Sequence, residues 1–279
     1  MSPWIRLQRD RLALVCMGFL GGVLVLGLLA PILPLSDPTL IDVGDKFAPW
    51  SWYHPFGTDQ LGRDVLSRLV YGIRATVFLS LLTMAITSAL GACVGLVSGF
   101  FRNRIDDVLM RICDVMMSFP SEVMILAIVG MTGPGLENVV IANVVAKWPW
   151  YARMVRSIVR QYSDKDYIRF AKVAGGSSIR IMMRHLLPGT AGELFVLTTL
   201  DTGSVILMIS ALSFLGLGVQ PPTPEWGMML NEAKEVMTLY PLQMIPAGMA
   251  ILLVVAAFNF YGASLRDAFD PKHAGRERS

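Results

Sequence analysis

Residues 151–188 read YARMVRSIVRQYSDKDYIRFAKVAGGSSIRIMMRHLLP, a basic stretch of helical character that lies between long apolar segments. Those apolar segments are long enough to cross a bilayer, which requires about 20 mostly apolar residues per helix. A loop of this length that itself folds into helices is typical of a surface presented to a soluble protein. The stretch therefore predicts a membrane protein that works together with a soluble partner.

The basic loop predicts a helix, a turn and a second helix. The first helix begins at Ser163 or Asp164, and Gly175 breaks it. The second helix is capped by one of the serines at 177–178 and is stopped by Pro188. Such a unit, with basic residues around a small apolar patch, fits a groove on a rigid partner, or it contacts anionic lipid head groups.

The composition is that of a membrane-embedded chain. The 279 residues are 54% hydrophobic and 16% charged, whereas soluble domains carry about 25% charged residues. Cys16, Cys93 and Cys113 lie in or beside apolar segments and have no CxxC spacing. We interpret them as small packing residues and expect neither a disulfide framework nor a zinc site.

The hydropathy pattern predicts an all-α membrane protein with a bundle of six transmembrane helices. Six segments satisfy the length requirement: residues 12–33, 75–101, 112–131, 139–155, 194–215 and 242–265. Together they define a transmembrane domain at 12–265, which also contains an outer segment at 34–74 and the basic loop at 156–188. Residues 1–11 and 266–279 are the remaining ends.

Three glycines in the second segment, Gly91, Gly95 and Gly99, follow a four-residue spacing. This spacing places them on one helix face and lets a neighbouring helix approach closely. It is equally typical of membrane helices in general.

The basic residues predict that both termini lie in the cytoplasm. With the N-terminus inside, the inner pieces of the chain carry 18 of the 24 lysine and arginine residues, and the outer pieces carry 5. Cytoplasmic loops hold the excess of these residues in membrane proteins. The pattern therefore favours an N-in, C-in bundle.

The outer segment ends in FGTDQLGRDVLSRLVYGIR, residues 56–74. Gly57 and Gly62 permit tight turns, and a helix capped by Thr58 or Asp59 would present one apolar stripe. Its polar side carries opposite charges four residues apart, namely Asp59, Arg63, Asp64 and Arg68. We interpret it as an amphipathic helix at the outer membrane face. It closes the outer end of the bundle or receives a binding protein.

The basic loop resembles a known motif. Residues 166–188, DYIRFAKVAGGSSIRIMMRHLLP, are similar to the EAA loop of importer-type ATP-binding-cassette (ABC) permeases, which holds the ATPase subunit. In this resemblance Arg169, Phe170 and Ala171 stand at the Glu-Ala-Ala position, Gly175 matches the family glycine, and Pro188 ends the motif. Residues 156–188 are hereafter called the coupling loop. The resemblance implies that its part at 164–178, which begins at Asp164, moves when the ATPase subunits close.

Three further stretches resemble the dipeptide, oligopeptide and nickel branch of these permeases. They are residues 56–74, with Gly57, Asp59, Gly62, Arg63 and Asp64 as the outer signature, LSFLGLGVQPPTPEWGMML at 212–230, and ASLRDAFDP at 263–271. WPWYARMVRS at 148–157 and VLTTLDTGSVIL at 196–207 resemble the nickel-type second permease more than the dipeptide type. The resemblance covers nearly the whole chain.

The resemblance implies a permease subunit in the bacterial cell membrane. Such a subunit pairs with a second, paralogous permease, two ATPases dock below, and an extracytoplasmic binding protein docks above. The cargo is expected to be nickel or a metal–metallophore complex, with dipeptides or oligopeptides as the alternative. The chain has no G-x-x-x-x-G-K-[ST] phosphate loop, so ATP hydrolysis is assigned to a partner. No catalytic residue and no cofactor are expected.

Polar residues inside predicted spans are the candidates for the translocation pathway. Asp201 is the first, Lys147 the second and Glu122 the third, because a charge at the bilayer centre costs about 2.5–3.5 kcal/mol. Lys147 and Asp201 either line the pathway or pair between neighbouring helices in a structural role. The three histidines lie far apart in sequence, and no metal site is expected.

Two other classes of protein are weaker interpretations. A stand-alone secondary transporter predicts inverted repeats and discontinuous helices, and no internal repeat is evident in the sequence. A membrane-embedded enzyme would require a motif such as HExxH or GxSxG, and the chain contains neither.

Overall fold

A computed structural model describes residues 3–269, and within this range the chain is helical without a strand. The helices are α1 (Pro3–Arg9), α2 (Arg11–Leu29), α3 (Val65–Ile73), α4 (Leu79–Phe101), α5 (Arg104–Met117), α6 (Ser121–Thr132), α7 (Leu136–Ser163), α8 (Asp166–Val173), α9 (Ser178–Ile181), α10 (Leu187–Phe214), α11 (Trp226–Lys234) and α12 (Ile245–Phe269). Of the predicted tail at 266–279, residues 270–279 lie outside the described range.

Four continuous helical segments within residues 3–269 are long and apolar enough to cross a membrane. They are Arg11–Leu29, Val65–Phe101, Ser178–Phe214 and Pro241–Phe269. The pair α5 and α6 adds a fifth if both count as one broken span. Helix α7 is 28 residues long and is not among these segments.

Residues 112–131, which were predicted as one span, do not form one continuous helix. Helix α5 ends at Met117, α6 begins at Ser121, and the two meet at an angle of 82°. Pro120 causes this break, because proline lacks a backbone N–H and disfavours helical backbone at the preceding Phe119. The chain therefore turns sharply near the middle of the predicted span.

The glycine stripe of α4 packs closely against α7. A Cβ atom added to Gly95 would lie 2.6 Å from the carbonyl oxygen of Ala152, and one added to Gly99 would lie 2.8 Å from Val159 Cγ1. Residues with side chains would separate the two helices at these points. The expectation of close contact at this stripe is confirmed, and the contact joins α4 to the helix that carries Lys147.

The predicted start of the outer helix is wrong. Helix α3 begins at Val65 rather than after Thr58 or Asp59, and Asp64 caps it by accepting a hydrogen bond from Ser67 N at 2.7 Å. Gly57 and Gly62 have φ of 71° and 75°. Helical backbone therefore cannot extend back through the preceding turns. A π-helical turn, Arg74–Phe78, then joins α3 to α4.

The coupling loop contains the two predicted helices, α8 and α9, with Gly175 between them at φ 78°. The predicted start of the first helix at Ser163 or Asp164 is wrong, because Ser163 is the last residue of α7 and α8 begins at Asp166 after Lys165. Ser177 caps α9, as one of the two predicted serines. The prediction that Pro188 stops the second helix is wrong. Pro188 lies in the first turn of α10, where a missing N–H is tolerated, and a π-helical turn over Met182–Leu186 leads directly into it.

Candidate functional site

A cleft of about 610 Å³ brings together all three residues that were predicted as pathway candidates. Lys147 lies on α7 and Asp201 on α10, while Glu122 lies in the first turn of α6. Met116 and Met117 at the end of α5 complete this part of the wall. The volume falls in the range of small-molecule sites, which is about 300–1,000 Å³.

Lys147 and Asp201 form an ion pair on the cleft wall. Lys147 Nζ donates to the two carboxylate oxygens of Asp201 at 3.0 and 3.1 Å and to Ser204 Oγ at 2.9 Å. The hydroxyl of Tyr151 donates to the same carboxylate at 3.2 Å. The side chains of Lys147 and Asp201 are 16% and 27% exposed, so the pair faces the cleft while packing between two helices.

Sequence reasoning did not select Tyr151 and Ser204. Tyr151 follows Lys147 by four residues and Ser204 follows Asp201 by three, so both share a helix face with a residue that was selected. This spacing is the signal that would have identified them. Tyr151 is fully buried, so its hydrogen bond fixes the position of the Asp201 carboxylate.

Glu122 provides a second carboxylate to the cleft. It is exposed and accepts a hydrogen bond from Ser121 Oγ at 3.0 Å. Its place in the first turn of α6 is favourable for a negative charge, because the N-terminal end of a helix carries a partial positive charge. The cleft therefore contains one ammonium group and two carboxylates.

A second cavity of about 590 Å³ adjoins the cleft on the side of the coupling loop. The cleft and this cavity together form a groove between α7 and α10. Leu197 and Leu200 line both cavities. The second cavity also contains the side chains of Glu193 and Arg266, one of each charge. The two leucines thus form a shared apolar wall between two spaces of mixed charge.

The charged residues of the outer signature are buried, which corrects their assignment to a solvent-facing side of an outer helix. Arg63 donates to Asp59 at 2.7 Å and to Glu232 at 2.9 Å, and Arg68 contacts the same two carboxylates at 2.5 and 2.7 Å. Two arginines and two carboxylates therefore form one neutral cluster. This cluster fastens the outer segment to α11, because Glu232 comes from that helix.

The remaining residues of the outer signature shape the turn around this cluster. Asp64 caps α3, and its carboxylate lies 3.0 Å from His54 Nδ1 instead of pairing with Arg68 as predicted. A Cβ atom at Gly62 would collide with the backbone carbonyl of Asp42. The space at Gly57 is also too small for a side chain, since a Cβ there would lie 2.6 Å from the carbonyl oxygen of Ala48.

The coupling loop presents an apolar and basic surface. On α8, Ile168 is fully buried, whereas Phe170 is 75% exposed and its neighbour Arg169 is also exposed. Ala171 is half-buried and packs against the core under the loop. Since large exposed apolar side chains mark interaction surfaces, Phe170 is a candidate contact residue.

Asp164 anchors the junction between α7 and α8 to the end of α4. Its carboxylate lies 3.0 Å from Arg102 Nη1. The hydrogen bond from Arg102 holds the pKa of Asp164 below its ordinary value. Arg102 also donates to the backbone carbonyl of Arg160 at 2.8 Å, so it links α4 with the end of α7.

Within residues 3–269 no three His, Cys, Asp or Glu side chains are grouped so that they could hold a metal ion. His54 pairs with Asp64 in the outer segment, and His185 lies beside Tyr167 in the coupling loop. His273, the third histidine, lies outside the described residues.

Comparison with known proteins identifies the family. Residues 91–274 match the family described as binding-protein-dependent transport system inner membrane component. The chain is 41% identical to the metal-staphylopine import system permease protein CntC of Staphylococcus aureus over 273 residues, which are 98% of this chain and 94% of the relative.

Two further relatives carry other names. The nickel transport system permease protein NikC of Escherichia coli is 38% identical over 235 residues, 84% of this chain and 85% of the relative. The dipeptide transport system permease protein DppC of Alkalihalophilus pseudofirmus is 37% identical over 278 residues, 98% of this chain and 91% of the relative. These matches confirm the resemblance seen in the sequence motifs. The chain therefore belongs to the binding-protein-dependent transport system inner membrane components, and it is a membrane-embedded permease subunit of an ABC importer.

Proposed function

We propose that the cargo of this permease is a metal–metallophore complex or nickel held by a small chelator. The observation that carries the proposal is the cleft of about 610 Å³ with Lys147, Asp201 and Glu122 on its walls. Its volume suits a small molecule rather than a bare ion. A chelator built from amino and carboxylate groups finds an ammonium partner in Lys147 and carboxylate partners in Asp201 and Glu122.

The 41% identity with a permease named for metal-staphylopine import supports the same cargo class. A dipeptide is the second candidate, because its ammonium and carboxylate ends would meet the same three side chains. The 37% identity with a dipeptide permease over almost the full chain favours it independently. Both cargo classes carry carboxylate oxygens and N–H groups, so the same three side chains could bind either of them.

The assembly we infer contains a second permease, two ATPase subunits and an extracytoplasmic binding protein. The exposed Phe170 and Arg169 on α8 support docking of an ATPase at the coupling loop. In this arrangement ATP is hydrolysed on the partner subunits, and this chain supplies half of the pathway. The groove between α7 and α10, from the Lys147–Asp201 pair to Glu193, is the part of this chain that lines it.

We further infer six membrane crossings with both termini in the cytoplasm. Helix α7 supplies the sixth crossing, since its 28 residues at 1.5 Å per residue extend over about 42 Å. Three of its basic side chains pair with carboxylates of neighbouring helices: Lys147 with Asp201, Arg153 with Asp114, and Arg156 with Asp106. Charges that are paired with one another are tolerated in membrane helices.

Topology is tested by labelling single cysteines in a cysteine-free background with a membrane-impermeant maleimide. Gly133→Cys, in the turn between α6 and α7, is expected to react in intact cells. Phe170→Cys is expected to react only after the cells are opened. The reverse pattern would overturn the proposed orientation.

The cargo is tested by uptake in cells that carry the full set of subunits and no other nickel or peptide importer. Three probes are compared: radiolabelled nickel alone, radiolabelled nickel with an amino-carboxylate chelator, and a labelled dipeptide. Uptake of the chelated metal is expected to exceed that of the other two. Saturable dipeptide uptake with no metal uptake would assign the chain to the peptide importers.

A matched pair of variants connects the uptake to the cleft. Lys147→Gln removes the ammonium group of the cleft and is expected to lower uptake of the transported probe about tenfold, which corresponds to about 1.4 kcal/mol. Lys234→Gln changes an exposed lysine that does not line the cleft, and it is expected to leave uptake unchanged. Equal effects of the two substitutions would contradict a role for the cleft.

A further inference from the structure

Asp106, in the first turn of α5, is a buried carboxylate held by two arginines. It is 2% exposed and accepts hydrogen bonds from Arg156 Nε at 2.6 Å and Arg156 Nη2 at 2.8 Å. Arg160 Nη2 and Ser98 Oγ also donate to it. Four donors from two other helices, α4 and α7, therefore converge on one carboxylate. No sequence motif drew attention to this residue.

The two arginines lie at the start of the coupling loop, on the last turns of α7, and bind it to Asp106. Arg156 and Arg160 are one turn apart near the end of α7, which ends at Ser163, and α8 begins at Asp166. Arg102 reinforces the same junction by binding the backbone carbonyl of Arg160 at 2.8 Å. A displacement of α8 therefore acts on the segment of α7 to which Asp106 is bound.

The opposite end of α5 forms a wall of the cleft. Met116 and Met117 are its last two residues, and both line the cleft that contains Lys147 and Asp201. Beyond the 82° bend, Glu122 of α6 lines the same cleft. Helix α5 thus extends over about 21 Å, at 1.5 Å per residue, from the junction with the coupling loop to the cargo cleft.

Contacts along its length hold α5 against α7. Cys113 is fully buried, and with Met110 it packs on Ala152 of α7. Arg153 of α7 pairs with Asp114 of α5 farther along. The Arg153–Asp114 pair is largely exposed, whereas the carboxylate of Asp106 is buried, and separating it from its arginines would leave an uncompensated buried charge. The two helices are therefore expected to move as one body, with Asp106 as the buried point of attachment.

We propose that Asp106 is a positioning residue that transmits movement of the coupling loop to the cargo cleft. When the ATPase displaces α8, Arg156 and Arg160 carry Asp106 with them, and α5 shifts Met116, Met117 and the bend that leads to Glu122. The inference rests on the proposed docking of an ATPase at the coupling loop, and it holds for either cargo class.

The experiment uses the complete importer, with both permeases, the ATPases and the binding protein, reconstituted in vesicles. Cargo uptake and ATP hydrolysis are measured on the same preparation, and their ratio is compared between variants. Asp106→Asn is expected to retain ATP hydrolysis while the uptake per ATP falls about 5-fold or more, as found for changes along coupling networks. Asp106→Glu, which keeps the carboxylate, is expected to recover most of the ratio.

Asp107→Asn is the matched control, since it removes the adjacent, exposed carboxylate of the same helix. It is expected to leave the uptake per ATP unchanged. If Asp106→Asn does not assemble, Arg160→Gln provides the same measurement, because it removes only the partner that is 39% exposed. Its expected loss in uptake per ATP is smaller, about 2- to 3-fold.

An unchanged uptake per ATP in the tested variant would overturn the inference. This holds if uptake and ATP hydrolysis fall in proportion, as expected of a residue needed only for stability or docking, and it holds if neither changes. Failure of the proposed function is distinct from either result. In that case the wild-type chain would not recover ATPase subunits, and no ratio could be compared between variants.

Discussion

Lys147 on α7 and Asp201 on α10 lie 54 residues apart in the chain, and Lys147 Nζ donates to the carboxylate at 3.0 Å. The pair has two consequences at once. It joins two helices of the bundle, and it places both charges on the wall of the cleft. The alternatives of pathway lining and helix pairing, which the sequence left open, are therefore compatible in this structure.

Replacing Asp201 with asparagine tests what the pair contributes. The substitution leaves the Lys147 ammonium without its counter-charge, and hydrogen bonds to charged groups are worth about 1.5–3 kcal/mol. We expect cargo uptake to fall about tenfold, or by about 1.4 kcal/mol, with a modest loss of thermal stability. Uptake in cells and thermal unfolding of the detergent-solubilised protein measure the two effects.

The control for this substitution is Thr198→Val on the same helix. The Thr198 hydroxyl donates to the carbonyl of Leu194 within α10 and does not line the cleft, so uptake is expected to be unchanged. Wild-type uptake by Asp201→Asn, together with reduced thermal stability, would limit the ion pair to helix packing.

Gly175 is expected to be required for ATPase docking. Its φ of 78° lies in the left-handed region, where a residue with a side chain costs about 1–2 kcal/mol. Gly175→Val should therefore distort the turn between α8 and α9 and abolish recovery of the ATPase in a pull-down, while membrane insertion stays intact. Gly175→Asn is the matched control, because asparagine tolerates this conformation, and it should retain the ATPase.

Gly95 is expected to be required for the contact between α4 and α7. A Cβ there would lie 2.6 Å from the carbonyl oxygen of Ala152, and overpacking of this kind costs about 1–3 kcal/mol. Gly95→Ala should lower the free energy of unfolding by that amount. Gly21→Ala in α2, where no atom lies within 4 Å of the added Cβ, should be neutral or stabilising. Thermal unfolding of both variants checks the difference.

Glu232 is expected to contribute strongly to stability although it lies outside the cleft. Its carboxylate is 12% exposed and shares Arg63 and Arg68 with Asp59. Glu232→Gln leaves a buried cluster with excess positive charge, and breaking a buried pair costs about 3–5 kcal/mol. Thermal unfolding should show this loss, whereas Glu235→Gln, an exposed neighbour, should change stability by less than about 0.5 kcal/mol. Equal stability of both variants would contradict the role of the cluster.

The sequence predicted the local features correctly where the decisive interactions are close along the chain. The glycine stripe of α4 and the two short helices around Gly175 follow from spacing and from turn residues. The same reasoning missed the break at Pro120, because it weighed the apolar length of residues 112–131 above the helix-breaking stretch SFPSE at 118–122. It also misplaced the start of α3, since Asp64 rather than Thr58 or Asp59 supplies the cap.

The partners of charged residues could not be read from the sequence. Arg63 meets Glu232 across 169 positions and Arg156 meets Asp106 across 50, and residue type alone gives no preference among the carboxylates of the chain. An i, i+4 rule therefore assigned the outer charges to a helix surface, whereas the fold buries them in one cluster.

That this chain is a helical membrane permease follows from its amino acids alone, because apolar length and the coupling-loop motif are local properties of consecutive residues. Which charges share a cleft, which are buried as a cluster, and that α5 joins the coupling loop to the cleft became evident only from the folded chain. Electrostatic partners are selected by distance in space, and that distance is set by the packing of helices that are far apart in the chain.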